Sequence, residues 1–124
     1  DTVDILDAKI VNIGVQFDII TDLEDNKFKI LTRATNAVRS RLARTHLDIS
    51  EPFRITSIFQ ILKNVEGVLD VTDVRVTPKV GGVYSDAFYD LETNTTPDGR
   101  LLMVPENVIL EIKYPNVDIE GSVR

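Results

Sequence analysis

Carboxylates are the side chains of this sequence that could most readily do chemistry, and they gather in two places. The first group surrounds a break between two periodic segments and consists of Asp18, Asp22, Glu24 and Asp25. A calcium loop needs oxygen ligands at alternate positions and a closing glutamate, and that spacing is missing here. The second group, Asp70 and Asp73, could act as a glycosidase pair, but the chain has no tryptophan to line a sugar-binding cleft. We therefore expect these carboxylates to cap a helix or to face solvent, and we assign them no catalytic or metal-binding role.

Histidine and cysteine chemistry is restricted even more strongly. His46 is the only histidine, so a histidine relay or a multi-histidine metal site cannot form within this chain. We expect His46 at the end of a helix, where its protonated form interacts favourably with the helix dipole. The absence of cysteine excludes disulfides, thiolate metal sites and a cysteine nucleophile. The sequence thus predicts a protein that is not an enzyme, has no cofactor and has no small-molecule substrate.

A set of aromatic and aliphatic residues in the last third of the chain is a better candidate for function. The segment is unusually apolar for a loop rich in acidic residues, and the set is Tyr84, Phe88, Tyr89, Leu102 and Met103. These residues either form a lid that closes the edge of a sheet or form a contact surface for another protein. A third interpretation is that an uncovered edge strand pairs with a strand of a partner.

The overall composition is typical of one globular domain. The 124 residues include 43% hydrophobic and 27% charged side chains, which suffices for one core and argues against disorder. The net charge of −6 argues against duplex nucleic acid as the partner, because phosphate binding needs a concentrated basic face. No apolar run approaches the roughly 20 residues of a membrane span, so we expect no membrane partner either. The chain begins with Asp1 and not with methionine, and we interpret it as a domain of a longer protein.

The first third of the sequence predicts a strand followed by a long helix. Alternate positions over residues 9–20 are apolar and predict one core face, formed by Val11, Ile13, Val15, Phe17 and Ile19. The other face of this strand is polar, so we expect it to be free for solvent or for a partner. Asp25 or Asn26 is placed to cap a helix that extends to about Leu47. The apolar stripe of this helix has helical spacing and comprises Phe28, Leu31, Ala34, Val38 and Leu42.

The middle of the sequence predicts a second helix, a glycine and a second strand. Pro52 separates this helix, expected over residues 56–64, from the first one. Gly67 follows at the position where a left-handed C-cap needs a residue without a Cβ. The strand expected over residues 68–77 should end at Pro78, which cannot donate to a strand ladder.

The last third of the sequence is harder to assign. Residues 78–105 form an aromatic-rich excursion with a short strand at 101–104, and a final strand should cover residues 106–114. The tail over 115–124 has little periodicity, so we expect it to be loose or to dock on a neighbouring chain. The predicted order is β-α-α-β-excursion-β, with a ferredoxin-like outline. It predicts an α+β fold, a two-layer sandwich with two helices on one face of a small, mostly antiparallel sheet.

The region around Gly67 resembles the baseplate J-like family of contractile phage tails. In that family a proline and spaced apolar positions mark the start of a helix. A strand with the pattern V-x-G-V-x-x-V follows at the end of that helix. The matching residues here are Pro52, Ile58, Leu62, Val65, Gly67, Val68 and Val71. With the preceding strand and helix, the likeness covers about residues 9–77, whereas the excursion departs from the short hairpin of simple family members. Within the family, the chain looks most like the C-terminal part of the wedge proteins of T-even-type phages.

The resemblance implies a structural role in the virion. Wedge proteins of this type join neighbouring wedges of the tail baseplate, partly through self-association of their C-terminal regions. It therefore implies that this chain is assembled in the host cytoplasm, forms a homo-oligomer such as a dimer, and contacts other baseplate wedge proteins. Two other hypotheses stay open. One is a regulatory module that binds a small ligand on a ferredoxin-like sheet, and the other is a hydrolase that uses Asp22, Asp70 and Asp73.

Overall fold

A computed structural model describes residues 9–22, 26–43, 52–87, 89–105 and 107–124 of the chain. In chain order the elements are β1 (Lys9–Thr21), α1 (Lys27–Ala43), β2 (Phe53–Arg54), α2 (Ile55–Lys63), β3 (Val68–Lys79), α3 (Leu91–Asn94), β4 (Leu101–Leu102), β5 (Val108–Glu111), α4 (Pro115–Asp118) and β6 (Ile119–Val123). The fold of these described residues is α+β, which confirms the predicted class. None of the helices described is long and apolar enough to cross a membrane.

β1 is the centre of the main sheet because it pairs along both of its edges. One edge carries β3 in antiparallel register, with Gly14 opposite Thr77. The other edge carries β5 beside residues 9–12 and β6 beside residues 15–19, and both strands run parallel to β1. The sheet is therefore mixed, and the prediction of a mostly antiparallel sheet is wrong. β3 ends near the start of β1, so the chain crosses to the other edge at that end and then runs in the direction of β1.

The core lies on the face of β1 that the alternation predicts. Its five apolar side chains are at most 2% exposed and are Val11, Ile13, Val15, Phe17 and Ile19. The two long helices cover this face, with α1 over β6 and α2 over β3. Their buried apolar residues are Ile30, Ala34 and Val38 of α1 and Ile55, Ile58 and Leu62 of α2. This arrangement is the predicted two-layer sandwich.

The start of α1 agrees with the prediction, but its buried stripe differs. The Asn26 side-chain oxygen accepts hydrogen bonds from the backbone N–H groups of Phe28 and Lys29, each at 3.2 Å, so Asn26 caps the helix. Phe28 itself is 68% exposed, and its predicted place in the core stripe is wrong. The reason is that the face containing Ile30 meets the sheet instead. The predicted helix end at Leu47 lies outside the described residues.

Gly67 forms the predicted left-handed turn between α2 and β3. Its φ angle is +97°, and a Cβ at this position would lie 2.6 Å from Cδ1 of Ile30. Both facts require glycine here, because an L side chain would be strained and would collide with α1. The strand that follows does not end at Pro78 as predicted but continues to Lys79. An edge strand tolerates proline, since a missing N–H on its outer side breaks no ladder bond.

The two strands predicted in the last third are shorter than expected, and the excursion contains a short helix that the sequence does not predict. Residues 78–105 contain α3 and β4, and β4 pairs with β2 as a two-stranded ribbon outside the main sheet, with Phe53 opposite Leu102. The strand expected over 101–104 is thus reduced to two residues. The final strand expected over 106–114 corresponds to the four residues of β5.

The tail is an integral part of the sheet, and the prediction that it is loose or docks elsewhere is wrong. β6 pairs with the second half of β1, and Ile119 is fully buried. Gly121 lies opposite Phe17, and a Cβ on Gly121 would collide with the Phe17 ring. Pairing with β1 orders this segment. The prediction failed because the order comes from a distant strand, whereas the tail itself has little periodicity.

Candidate functional site

The predicted contact residues have different surroundings in the structure. Tyr84 lies over the polar face of the main sheet and is half-buried. The Tyr89 hydroxyl donates a hydrogen bond of 2.6 Å to the backbone oxygen of Met103, and the Met103 side chain is 45% exposed. Leu102 is fully buried in the chain's own core, so it cannot form the predicted contact surface. Phe88 lies outside the described residues.

The polar face of the sheet is covered at the N-terminal end of β1, contrary to the prediction that this face is free. Asn12 is only 1% exposed. Its Oδ1 accepts from the backbone N–H of Ser85 at 2.7 Å, and its Nδ2 donates to Oε1 of Glu111 at 2.8 Å. A buried amide is tolerated when both of its ends have partners. The turn after β3 therefore packs over this end of the sheet by hydrogen bonding to Asn12.

Asp118 at the end of α4 is the buried carboxylate of this region, with 3% exposure. It accepts a hydrogen bond of 2.8 Å from the Tyr84 hydroxyl, and Nζ of Lys79 lies 3.9 Å from the same oxygen. The hydrogen bond to Asp118, together with desolvation, raises the pKa of Tyr84. A general base would need a tyrosine pKa lowered toward neutrality, so this arrangement favours a structural connection over proton transfer.

Tyr84 also belongs to an exposed apolar patch, which we call the tyrosine patch and define as Val83, Tyr84, Tyr114 and Val117. The rings of Tyr84 and Tyr114 meet edge to face, with their centroids 5.7 Å apart. Lys113 donates to the backbone oxygen of Val83 and so connects two chain segments that are 30 residues apart. Val83 and Val117 are 63% and 61% exposed. The patch therefore combines large exposed apolar side chains with a fixed backbone.

Sequence reasoning missed three members of this patch, Val83, Tyr114 and Val117. The apolar residues on either side of Pro115 could have indicated a short surface helix, because proline favours the first helical position. Nothing in the sequence, however, indicates that Tyr114 lies beside Tyr84. That neighbourhood arises only from the pairing of β5 and β6 with β1.

Carboxylates at the other end of the polar face form ion pairs and local hydrogen bonds. Arg75 lies between Asp73, at 2.5 Å, and Asp18, at 3.6 Å. Asp70 accepts from the backbone N–H of the next residue at 2.8 Å. Within the described part of the chain, no three histidine, cysteine or carboxylate side chains are grouped so as to hold a metal ion. The other polar candidates, Glu24, Asp25 and His46, lie outside the described residues.

The residues from which we expect a likeness to the baseplate J-like family lie mostly in the core or beside the Gly67 turn. Three of them are buried (Ile58, Leu62 and Val71), Val65 and Val68 are half-buried beside the Gly67 turn, and Pro52 is exposed before β2. No family model matches the chain, and no curated protein matches it.

Proposed function

We propose that this protein is a structural assembly domain of a phage tail baseplate wedge that works through protein–protein contacts, including contact with a second copy of itself. The tyrosine patch is the observation that supports the contact role. The resemblance of residues 9–77 to the baseplate J-like family supports the wedge assignment.

The tyrosine patch has the composition and the rigidity of a contact surface. Tyrosine is enriched at the centres of protein interfaces, where it contributes large contact area with few rotatable bonds. Tyr84 is held by Asp118, and the backbone at Val83 is held by Lys113. Groups that are already ordered lose less conformational entropy on association, which increases affinity.

The net negative charge is locally offset at this surface, which lowers one obstacle to contact between two copies. The chain has a net charge of −6, so two copies repel each other over most of their surfaces. At the tyrosine patch a cation lies close to an aromatic ring, since Nζ of Lys113 is 5.7 Å from the Tyr114 ring centroid. The carboxylate of Asp118 is buried there beside Lys79. Apolar side chains are exposed where the net charge is locally offset, and a two-fold contact would join the same patch of both copies.

Light scattering coupled to size-exclusion chromatography tests this contact over a range of protein concentrations. We expect the wild-type chain to form a dimer as the concentration rises. Val83→Glu and Val117→Glu should each raise the dimer dissociation constant by about tenfold or more. Leu69→Glu is the matched control, because Leu69 is 64% exposed but lies outside the patch, and it should leave the dimer unchanged. A wild-type chain that stays monomeric, or an equal effect of Leu69→Glu, would contradict the proposal.

The wedge assignment has a separate test. An antibody raised against this domain should label the baseplate end of contractile tails from the source phage in electron micrographs. Label along the tail tube, on the head or nowhere on the particle would contradict the assignment without affecting the dimer measurement.

A further inference from the structure

The backbone hydrogen bonds of β1 show which of its residues pair with β3. The N–H of Lys9 donates on the side of β5, and the carbonyl oxygen of Ile19 accepts on the side of β6, which is the same edge of β1. Adjacent residues of a strand direct their backbone groups to opposite edges. Even-numbered residues of β1 therefore pair with β3, and Gly14 with Thr77 is one such pair.

In the second half of β3, over residues 74–79, the same alternation leaves three residues with backbone groups that point away from the sheet. Because Thr77 pairs with β1, the N–H and C=O groups of Val74 and Val76 point outward, as does the C=O of Pro78. Pro78 is consistent with this assignment, since its ring lacks an N–H on the outer side only. None of the strands described pairs with this edge. It is an unpaired edge of the kind that accepts an added strand.

A groove lies between β3 and the chain around α3, and the three residues with outward backbone groups are among those that line it. The groove has a volume of about 690 Å³ and is lined by residues 74–78 on one side and by residues 89–92 and 95–97 on the other. Ile55 and Leu91 are buried apolar members of its lining. A strand advances about 3.3 Å per residue, so a segment of roughly five residues would extend along the open part of β3.

The wall of the groove opposite β3 is acidic. Asp90 and Glu92 are exposed there, and neither has an ion-pair partner among the described residues. Hydrogen bonds from the hydroxyl and the backbone N–H of Thr93 lower the pKa of Asp90, so its charge persists at neutral pH. The basic residue in the lining, Arg75, is already paired with Asp73. The uncompensated charge of the groove is therefore negative.

We propose that the outer edge of β3 binds an extended segment of a different protein that contains lysine or arginine and adds to the sheet as a further strand. The backbone of Val74 and Val76 would bind the backbone of that segment, and its basic side chains would contact Asp90 and Glu92. A second copy fits this edge poorly, because it would bring its own acidic wall to the same place. The proposal uses another surface and another partner than the self-association above, so either can fail without the other.

Hydrogen exchange measured by NMR tests the proposal with a defined probe. In the free protein, the amides of Val74 and Val76 should exchange faster than those of Arg75 and Thr77, which pair with β1. The probe is an acetylated and amidated hexapeptide of alternating lysine and valine. At ten times its Kd, this peptide should slow exchange at Val74 and Val76 by roughly tenfold and leave Arg75 and Thr77 unchanged.

Two control peptides separate the contributions of charge and of backbone pairing. A peptide of alternating glutamate and valine should bind at least roughly tenfold more weakly, because it meets the acidic wall with like charge. The lysine–valine peptide with alternate backbone nitrogens methylated on its pairing edge should not bind and so should not protect Val74 or Val76. The methyl groups remove the donors to the carbonyl oxygens of Val74 and Val76 and block the close approach of the two backbones.

Variants of the protein complete the test. Asp90→Asn combined with Glu92→Gln should weaken binding of the lysine–valine peptide by roughly three- to tenfold, and asparagine keeps the cap of α3. The control combines Glu66→Gln with Glu120→Gln, which are exposed carboxylates outside the groove, and it should leave Kd unchanged.

Unchanged exchange at Val74 and Val76 with saturating peptide, or equal affinity for both charge types, would overturn the proposal. Protection that appears with protein concentration alone would assign the edge to a second copy and would also overturn it.

Discussion

The hydroxyl of Tyr84 donates a hydrogen bond of 2.8 Å to the carboxylate of Asp118, which lies 34 positions later in the chain. This bond connects the turn after β3 to the end of α4, and the two most exposed members of the tyrosine patch, Val83 and Val117, lie in these segments. Asp118 is itself buried, so it acts on the surface only by holding Tyr84. The geometry of the proposed contact surface thus depends on a residue that a partner cannot touch.

High pH should weaken the connection between Tyr84 and Asp118. The folded protein raises the pKa of Tyr84 above the ordinary value of 10.0, mainly through the hydrogen bond to Asp118. The contribution of this group to stability is fully present below the unfolded pKa and is lost as the pH rises through the folded pKa. Tyr84→Phe should therefore lower the Tm at about pH 8 and should lose less further stability between about pH 8 and pH 11 than the wild type. Thermal denaturation followed by circular dichroism checks this, and an alkaline loss equal to that of the wild type would contradict it.

Arg39 of α1 fixes the start of the tail segment. Its Nε donates to the backbone oxygen of Pro115 at 3.0 Å, and its Nη2 donates to those of Asn116 and Ile119 at 2.8 and 3.3 Å. A lysine cannot reproduce this fork, so Arg39→Lys should lower the free energy of unfolding by about 1–2 kcal/mol in urea denaturation. Arg33→Lys, an exposed position on the same helix, should stay within about 0.5 kcal/mol of the wild type. Equal effects of the two substitutions would show that Arg39 does not hold the tail.

Gly67 and Gly99 allow backbone strain to be separated from a steric collision. Both have positive φ, at +97° and +73°, but only Gly67 has a neighbour, Ile30, in the position of a Cβ. We expect Gly99→Ala to cost about 1–2 kcal/mol from strain alone. Gly67→Ala should cost about 1–3 kcal/mol more, because Ile30 must move. Chemical denaturation measures both, and adding Ile30→Val, which removes Cδ1, should recover part of the additional loss.

Leu102 and Met103 are adjacent but should respond differently to truncation. Leu102 is fully buried, so Leu102→Ala should lower the free energy of unfolding by about 2–5 kcal/mol. Met103 is 45% exposed, and Met103→Ala should change it by less than about 0.5 kcal/mol. Urea denaturation measures both free energies of unfolding. Comparable losses for the two variants would place Met103 in the core and contradict its exposed position.

The local parts of the fold could be predicted from sequence because their signals are local. The alternation from Val11 to Ile19 identifies both the strand β1 and its core face, and Asn26 identifies the start of α1. Gly67 identifies a left-handed turn because a residue without a Cβ is needed there. Each of these predictions uses residues within a few positions of one another.

The missed parts all depend on contacts between distant segments. The direction of β5 and the existence of β6 follow from where the chain returns to β1, which no short pattern encodes. Asn12 lies on the polar face of β1 that the sequence predicts to be free, yet it is buried, and Ser85 and Glu111 provide hydrogen-bond partners for its amide. The tyrosine patch was only partly predictable for the same reason, since Tyr84 and Tyr114 become neighbours through strand pairing.

The claim that the tyrosine patch joins two copies of this chain is tested most directly by hydrogen exchange with mass spectrometry at low and at high protein concentration. We predict that exchange slows at high concentration in peptides that cover residues 80–87 and 113–118, while peptides within residues 27–43 stay unchanged. Unchanged exchange in the first two regions, or new protection confined to residues outside them, would contradict the claim.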